Sequence, residues 1–162
     1  LALDFSPDGK FLISSGGDNL VWMWDVRQAA PARRFTGSTQ ELSSCRFSPT
    51  GNELVAGSTD GTFRMWEAGG RSIHISRHHA SDVTACAYSA RGTHILTSGL
   101  DGSICVVDSF DLCEVGRWVH HSAVTCMDVA SVKGGLVVFG DAIGELHVLD
   151  VVRGVCGSWH LM

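Results

Sequence analysis

The amino-acid sequence predicts an all-β protein made of four successive four-stranded antiparallel units, and three observations indicate this fold class. Residues 12–27 form a pattern of two strands around a turn, and this pattern recurs three times along the chain. The positions that close the four copies, Trp24, Trp66, Val107 and Leu149, are separated by 42, 41 and 42 residues. Turn signals follow each short apolar segment, and no helical periodicity of useful length interrupts them. A fixed period in the forties with a four-strand rhythm is typical of a repeat architecture.

The first unit shows the strand and turn pattern that the other units repeat. Residues 1–5 alternate apolar with small or polar side chains, as in a half-buried strand, and Ser-Pro-Asp-Gly at residues 6–9 predicts a turn. Proline presets φ for such a turn, and glycine tolerates the positive φ that other residues avoid. The pattern then predicts a strand over residues 11–15, a Gly-Asp-Asn turn, a strand over 20–25 and a more polar outer strand over 32–36.

The next three units repeat these elements, with the largest departures in the fourth. Turns after their first strands are predicted at residues 48–51, 89–92 and 132–135, and the fourth unit has an altered second turn at 140–144. The predicted strands are 42–47, 53–57 and 62–67 in the second unit, 83–88, 94–98, 103–108 and about 112–118 in the third, and 124–129 in the fourth.

These motifs resemble those of the WD-repeat (WD40) β-propeller family over essentially the whole chain. They are Ser-Pro-Asp-Gly after the first strand, Ser-Gly-Gly-Asp-Asn or Gly-Ser-Thr-Asp-Gly at the second turn, and Trp-Asp after the third strand. The resemblance implies that each unit is a four-stranded blade and that the blades stack around a central channel. The implied blades are residues 1–37, 38–78, 79–119 and 120–162.

Four blades are fewer than the usual member of this family has, so the resemblance implies part of a larger propeller of seven blades or more. Each terminal blade would leave a broad apolar face bare, and monomers rarely expose such a face. We expect further blades of the same longer chain, a second copy or a partner protein to cover these faces. The first is favoured because the sequence begins abruptly at an inner strand.

The resemblance also implies a buried polar tetrad in each blade. In the family it joins a His before the first strand, a Ser or Thr on the second, the turn Asp and the Trp, whose polar groups can satisfy one another. By position, the implied tetrad residues are Ser14, Asp18 and Trp24 in the first blade, Asp60 and Trp66 in the second, His79, Thr97 and Asp101 in the third, and His120 in the fourth.

Several tetrad positions are substituted, increasingly so toward the fourth blade. We therefore expect packing to contribute more than polar networks there, and the side chain of Asp141 to be unimportant for stability. The substituted positions are Ser38 and Ala56 in the second blade, Val107 in the third, and Phe139, Ile143 and Leu149 in the fourth.

The cysteines predict a reduced, intracellular protein. Cys45, Cys86 and Cys126 recur at what the spacing indicates is one strand position, and equivalent positions on different repeats do not converge as disulfide partners. We interpret them as buried thiols that pack as small hydrophobic groups. Localisation is predicted to be cytoplasmic, with a cytoskeletal or nuclear assembly also compatible.

Paired histidines at 78–79 and 120–121 could suggest a metal site. We favour the interpretation that one histidine of each pair is the tetrad residue and the other lies in a loop, because a metal site needs three or four converging groups. The sequence therefore predicts no metal.

Composition and motifs argue against several functional classes. The net charge of −5 and a pI of about 5.8 predict no direct binding to nucleic acid. No stretch between charged residues approaches the roughly 18 apolar residues of a spanning helix, so no membrane insertion is predicted. Nucleotide-binding and nucleophile-elbow motifs are absent from the sequence, which therefore predicts no catalysis and no cofactor.

Loops on a rigid scaffold are where a propeller makes its contacts. The segments before each first strand and the turns beside them are predicted to line one rim and to bind partner proteins. The candidate rim residues are Glu41, Thr59, Asp82, Leu100 and His121.

The leading functional hypothesis is a non-catalytic protein-protein interaction scaffold in an intracellular multiprotein assembly. An alternative comes from the stretch that begins at Leu12 and ends at Arg27, which resembles the W-D-x-R box of propellers that act as substrate receptors of cullin-RING ubiquitin ligases. In that interpretation Arg27 contacts the ligase adaptor.

Overall fold

The structure, a computed structural model, describes residues 1–130, 135–153 and 155–160. Within these residues the chain is all-β, with no helix, and its sixteen strands form four four-stranded sheets. Each sheet contains four consecutive strands, and every pairing between neighbouring strands is antiparallel. The predicted fold class is confirmed.

The strands follow one another across each sheet in chain order. They are β1 Ala2–Phe5, β2 Phe11–Ser15, β3 Val21–Asp25 and β4 Ala30–Phe35; β5 Leu42–Phe47, β6 Glu53–Ser58, β7 Thr62–Glu67 and β8 Ser72–Arg77; β9 Val83–Tyr88, β10 His94–Gly99, β11 Ser103–Asp108 and β12 Glu114–Val119; β13 Val124–Val129, β14 Leu136–Asp141, β15 Glu145–Asp150 and β16 Val155–His160.

The inner strands whose bounds were predicted agree with the prediction to within one residue, whereas the outer strands β4 and β12 differ by up to two residues. The polar outer strand β8 was not predicted, and β12 begins two residues later than expected because Leu112 adopts φ 58° in the preceding turn. The predicted turn at 132–135 lies, apart from Gly135, outside the described residues.

The four sheets pack against one another in chain order, with β5 beside β1, β9 beside β5 and β13 beside β9. An apolar cluster fills each of the three interfaces, and burying one such side chain contributes about 1.5–3 kcal/mol. Representative members are Ile13, Phe35 and Trp66 between the first and second sheets, Phe63, Met65 and Ile95 between the second and third, and Leu96, Met127 and Phe139 between the third and fourth.

The Asp-Gly turns also join neighbouring sheets. The backbone N–H of His79 donates to Gly61 O at 3.3 Å, and that of His120 donates to Gly102 O at 2.8 Å. Both glycines have positive φ, and a Cβ atom would lie 2.4 Å from His79 O at Gly61 and 2.6 Å from His120 O at Gly102. Only glycine therefore fits these turns, which hold the start of the following unit.

The cysteine prediction needs one correction. All six cysteines are free, and Cys45 and Cys86 are buried, but Cys126 is exposed. By strand register Cys126 aligns with Ser44, while Met127 aligns with Cys45 and Cys86, because the step from Cys86 to Cys126 is 40 residues whereas the repeat at this strand position is 41. Because successive strand residues face opposite sides of a sheet, this offset of one residue turns Cys126 away from the third sheet.

The first and fourth sheets each have one face that no other described sheet covers. On the first sheet Leu1, Leu3 and Phe5 are exposed. On the fourth sheet the exposed residues include Cys126 and Leu136. Apolar side chains are therefore buried at the three interfaces between sheets, whereas apolar side chains on the outer faces of the first and fourth sheets are exposed.

Close packing between the second and third sheets makes Gly57→Ala a test of the fold. The added methyl group would lie 2.5 Å from Cγ1 of Val83 and 2.7 Å from Oγ of Ser44. We predict a loss of about 1–3 kcal/mol in the free energy of unfolding, as overpacking typically costs. Denaturant unfolding measures it.

The matched control is Gly69→Ala, because no heavy atom lies within 4 Å of the added group at that position. This control should unfold at nearly the same denaturant concentration as the native chain. Equal midpoints for the two variants would contradict the packing of the second sheet against the third.

Candidate functional site

The loop before each first strand is tied to the turn between the second and third strands of the same sheet. The same backbone hydrogen bond, 3.0 Å long, occurs in three successive sheets at positions that repeat with the period of the sequence. It runs from Thr59 N to Glu41 O, from Leu100 N to Asp82 O and from Ala142 N to Ala123 O. The structure thus brings four of the predicted rim residues together in two pairs, and His121 lies two residues before Ala123 in the corresponding loop of the fourth sheet.

The rim, defined as Glu41, Thr59, Asp82, Leu100 and His121, combines fixed backbone with accessible side chains. Glu41, Leu100 and His121 are exposed, and Thr59 and Asp82 are half-buried. The ring of His121 lies 4.0 Å from the ring of His120, measured between centroids. Two carboxylates, an imidazole and an exposed leucine therefore face solvent on a rigid support.

A buried polar network lies behind this rim in the third sheet. The side chain of His79 is fully buried, with Nε2 2.9 Å from Thr97 Oγ1 and Nδ1 3.1 Å from Asp101 Oδ1. Ser103 donates its hydroxyl to Asp101 Oδ1 at 2.7 Å, and the backbone N–H of Ala80 donates to Asp101 Oδ2 at 2.8 Å. The sequence identified the first three residues but not Ser103, which stabilises the carboxylate.

Burial and hydrogen bonding set the charges of this network. Desolvation lowers the pKa of His79, so the imidazole is held neutral, although its bond to Asp101 opposes the shift. Burial alone would raise the pKa of Asp101, but hydrogen bonds from Ser103 and Ala80 outweigh it and lower this pKa to about 2. Asp101 is therefore an anion that accepts four polar contacts.

The fourth sheet contains a different network around Asp141. Its Oδ2 atom lies 3.0 Å from His120 Nε2 and 3.2 Å from His147 Nε2, while its Oδ1 atom accepts backbone N–H groups of Ile143 at 3.1 Å and Glu145 at 2.8 Å. The side chain of Asp141 is fully buried, and these hydrogen bonds hold its pKa below the ordinary value against the opposing effect of burial. The expectation that Asp141 is unimportant is wrong.

Strand register explains why the role of Asp141 could not be predicted from the sequence. Asp141 pairs across its sheet at the position that Gly99 occupies in the third sheet, two residues before the turn position of Asp101, where the fourth unit has Ile143. A Cβ atom on Gly99 would lie 2.6 Å from His79 Nδ1. A side chain at this position therefore reaches the imidazole directly. The fourth sheet supplies its carboxylate, that of Asp141, from this position, whereas the third sheet supplies its carboxylate from Asp101, two residues later.

In the first sheet the implied tetrad is only partly assembled. The indole N–H of Trp24 donates to Ser14 Oγ at 3.0 Å. Asp18 instead accepts the indole N–H of Trp22 at 2.9 Å. The structure therefore brings Ser14 and Trp24 together but places Asp18 with a different tryptophan.

In the second sheet the two implied tetrad residues are not in one network. Asp60 accepts the backbone N–H of Thr62 at 2.9 Å and its hydroxyl at 2.5 Å. Trp66 donates its indole N–H to Thr36 O at 3.1 Å, at the end of the first unit. The substitutions at Ser38 and Ala56 remove the groups that would have joined them.

The acidic residues that close the Trp-Asp motifs stabilise a turn. Asp25 Oδ1 accepts the backbone N–H groups of Arg27 and Gln28, each at 2.9 Å. Asp108 and Asp150 accept equivalent pairs of backbone N–H groups after β11 and β15. The Trp-Asp motif is thus explained by turn geometry, and the side chain of Arg27 is exposed.

The first strands of all four sheets line a cavity of about 340 Å³ that sequence reasoning did not find. Arg46 on β5 lies 3.5 Å from a carboxylate oxygen of Asp4 on β1 and 3.6 Å from one of Asp128 on β13. The guanidinium therefore connects the first, second and fourth sheets, a contact that only the stacked arrangement creates.

A second cavity, of about 600 Å³, opens between the third and fourth sheets at the end opposite the rim. Its walls include Leu96, Val106, Trp118, Val129 and Val151. The predominantly apolar lining offers space for a hydrophobic side chain of another protein or a small apolar molecule.

No part of the described structure forms a helix long and apolar enough to cross a membrane.

Comparison with known proteins gives a consistent family assignment. The profile of the family described as WD domain, G-beta repeat, matches residues 1–25, 29–67 and 70–108. These segments cover every strand of the first three sheets except β12, the outer strand of the third. Residues 109–162 lie outside them.

Curated relatives carry related names. Nuclear distribution protein nudF 2 of Penicillium rubens is 29% identical over 152 residues, covering 76% of this chain and 32% of that protein. Nuclear distribution protein nudF of Aspergillus terreus is 29% identical over 154 residues, covering 77% and 34%. WD repeat-containing protein 37 of Homo sapiens is 29% identical over 111 residues, covering 67% and 22%. The chain therefore spans about a third or less of the length of these relatives.

Removing either central carboxylate should weaken the fold. Asp101→Ala and Asp141→Ala each leave buried donors without an acceptor, so we predict that each lowers the unfolding temperature by several degrees. Asp82→Ala, at the half-buried rim, should change it little. Thermal unfolding followed by circular dichroism measures the three variants, and an Asp141→Ala variant as stable as Asp82→Ala would contradict the network.

Acid should remove the contribution of Asp101. Because folding lowers its pKa from 3.8 to about 2, ionised Asp101 stabilises the fold above about pH 4, and this stabilisation disappears as the pH falls toward 2. The difference in unfolding free energy between the native chain and Asp101→Asn should therefore be full at neutral pH and shrink over that range. Denaturant titrations at several pH values test this, and a constant difference would be the opposing result.

Proposed function

The chain belongs to the WD domain, G-beta repeat (WD40) family, whose repeats serve protein-protein interaction, and we propose that it is a non-catalytic scaffold in an intracellular multiprotein assembly. The repeated rim carries this proposal. Loops at equivalent positions of three adjacent sheets are fixed by the same backbone hydrogen bond, while their side chains remain accessible. Such loops on a rigid scaffold suit the binding of another protein.

The chemistry of the rim favours a polar or basic partner surface. Glu41 and Asp82 contribute carboxylates, His121 contributes an imidazole, and Leu100 adds an exposed apolar contact. Charged groups at the edge of an interface guide association, and a buried apolar residue contributes to affinity. The same acidity, with the net charge of −5, disfavours direct contact with nucleic acid.

We further propose that the four sheets are blades within 1–37, 38–78, 79–119 and 120–162 of a larger propeller. The uncovered apolar residues Leu3 and Phe5 support this proposal, because monomers rarely expose a continuous apolar face. Further blades of a longer chain, or a second copy, would cover such faces. The greater length of the relatives is compatible with the first of these.

An intracellular location is supported by the cysteines. All six are free, and burial raises the pKa of Cys45 to about 12 and that of Cys86 to about 11, so these two thiols are protonated and unreactive. Free thiols persist in reducing compartments, whereas secreted domains of similar size usually contain disulfides.

The alternative, a substrate receptor of a cullin-RING ubiquitin ligase, depends on Arg27 alone. Asp25 is occupied in its turn, so the exposed guanidinium of Arg27 is the group of the W-D-x-R box that remains available to an adaptor. Arg27→Ala should leave the turn intact, because the bond to Asp25 uses the backbone N–H. If the alternative holds, this variant loses a co-purifying ligase adaptor; an unchanged set of partners removes the alternative.

The rim hypothesis predicts that charge reversal abolishes partner binding. A Glu41→Lys, Asp82→Lys double variant should lose most of the proteins that co-purify with the native chain from cells, measured by quantitative mass spectrometry. Glu41 is exposed and Asp82 is half-buried, so the double variant should keep the native fold.

The matched control reverses a charge at the opposite end of the sheets. Arg91→Glu alters an exposed residue in the turn between β9 and β10 and should retain the native partners. If the double variant retains the same proteins while Arg91→Glu loses them, binding occurs at the opposite end and the rim proposal is wrong.

A further inference from the structure

We propose that His120, Asp141 and His147 form a binding site for a divalent transition metal ion, with Zn²⁺ as the best fit. They are the described residues whose potential ligand atoms converge, all lying within 4.8 Å of one another. The sequence predicted no metal because it gave the histidine at 120 a tetrad role and did not connect the other two residues with it.

Both imidazoles approach the same carboxylate oxygen. Nε2 of His120 and Nε2 of His147 lie 3.0 Å and 3.2 Å from the same oxygen, Oδ2 of Asp141. Zinc bonds of about 2.0–2.1 Å in tetrahedral geometry place ligand atoms about 3.3 Å apart. Small side-chain movements would therefore open this cluster to accept the ion, provided that each imidazole carries its proton on Nδ1.

Surrounding groups hold the three ligands in place. Oδ1 of Asp141 accepts the backbone N–H groups of Ile143 and Glu145, which leaves Oδ2 directed at the imidazoles. The ring of Phe139 stacks on that of His147, with centroids 4.8 Å apart, and meets the ring of His120 edge-on at 5.5 Å. Such fixed outer groups orient metal ligands and strengthen metal binding.

Charge and access also favour a cation. A carboxylate oxygen of Glu145 lies 3.7 Å from His147 Nε2, so two acidic groups flank the imidazole pair. His147 and Asp141 are buried, but the side chain of His120 is 14% exposed and adjoins exposed His121. An ion can therefore enter from the rim, and a water molecule can complete the coordination there.

The third sheet shows what distinguishes this cluster from an ordinary polar network. There the single imidazole of His79 shares Asp101 with the hydroxyl groups of Thr97 and Ser103, which are not preferred zinc ligands. In the fourth sheet Phe139 lies at the position of Thr97, and His147, at the position of Cys105, provides a second imidazole. Two imidazoles and one carboxylate are a common protein ligand set for zinc.

A bound ion would connect three segments of the fourth sheet. His120 precedes β13, Asp141 ends β14 and His147 lies on β15. The ion would thus fix the rim end of this sheet, where Ile143 and Leu149 replace the tetrad residues of the family. Metal binding would stabilise the fold because the unfolded chain lacks the preformed site.

The experiment titrates the chelator-treated, purified chain with Zn²⁺ and, separately, with Co²⁺. We expect saturable binding of one ion per chain, a higher unfolding temperature in excess Zn²⁺, and the visible absorption of tetrahedral Co²⁺ with nitrogen and oxygen ligands. Absence of saturable binding to the native chain would overturn the proposal without reference to any variant.

Variants locate the ion. His147→Gln and Asp141→Asn should weaken Zn²⁺ binding at least about tenfold, and the asparagine can still accept the backbone bonds of the turn. His79→Gln in the third sheet and His121→Ala on the rim are the matched controls and should bind as the native chain does. If His121→Ala abolishes binding while His147→Gln retains it, the ion sits on the surface pair of histidines, and the proposed site is wrong.

Discussion

Apolar packing between neighbouring sheets is the interaction on which the rest of this structure depends. A four-stranded sheet has two faces, and each interface in the stack buries a cluster of aliphatic and aromatic side chains. Strands β6 and β10 are buried on both faces, whereas β14 alternates between buried and accessible residues because one of its faces has no described neighbour. The stability of a sheet therefore comes largely from its neighbours, as in other repeat architectures.

The polar networks operate within this packed arrangement. Packing buries the imidazole of His79 and the carboxylate of Asp141, so the carboxylate of each network finds its partners in the protein. The third sheet does this with hydroxyl groups and the fourth with a second imidazole. The same arrangement fixes the rim, because the loops that contact solvent are bonded to turns whose positions the networks and glycines determine. The rim and the core are thus parts of one repeated arrangement.

The sequence predicted the period, the sheet composition and most inner strands, since turn signals and alternation are local properties. It failed where a contact depends on register or on distant segments. Cys126 was misassigned because it lies one residue before the strand position of Cys45 and Cys86, and the role of Asp141 was missed because its carboxylate reaches the network from another backbone position. The contact between Arg46 and Asp128 joins the second and fourth sheets, so no local pattern could indicate it.

Hydrogen exchange of backbone amides tests most directly whether stability lies in the contacts between sheets. Strands β2, β6, β10 and β14 occupy the same place in their sheets and pair with strands on both sides, so hydrogen bonding within the sheet is matched. We expect slower exchange in β6 and β10, which neighbouring sheets cover on both faces, than in β2 and β14. Equal protection of all four strands would contradict this account, because it would mean that each sheet is stable without its neighbours.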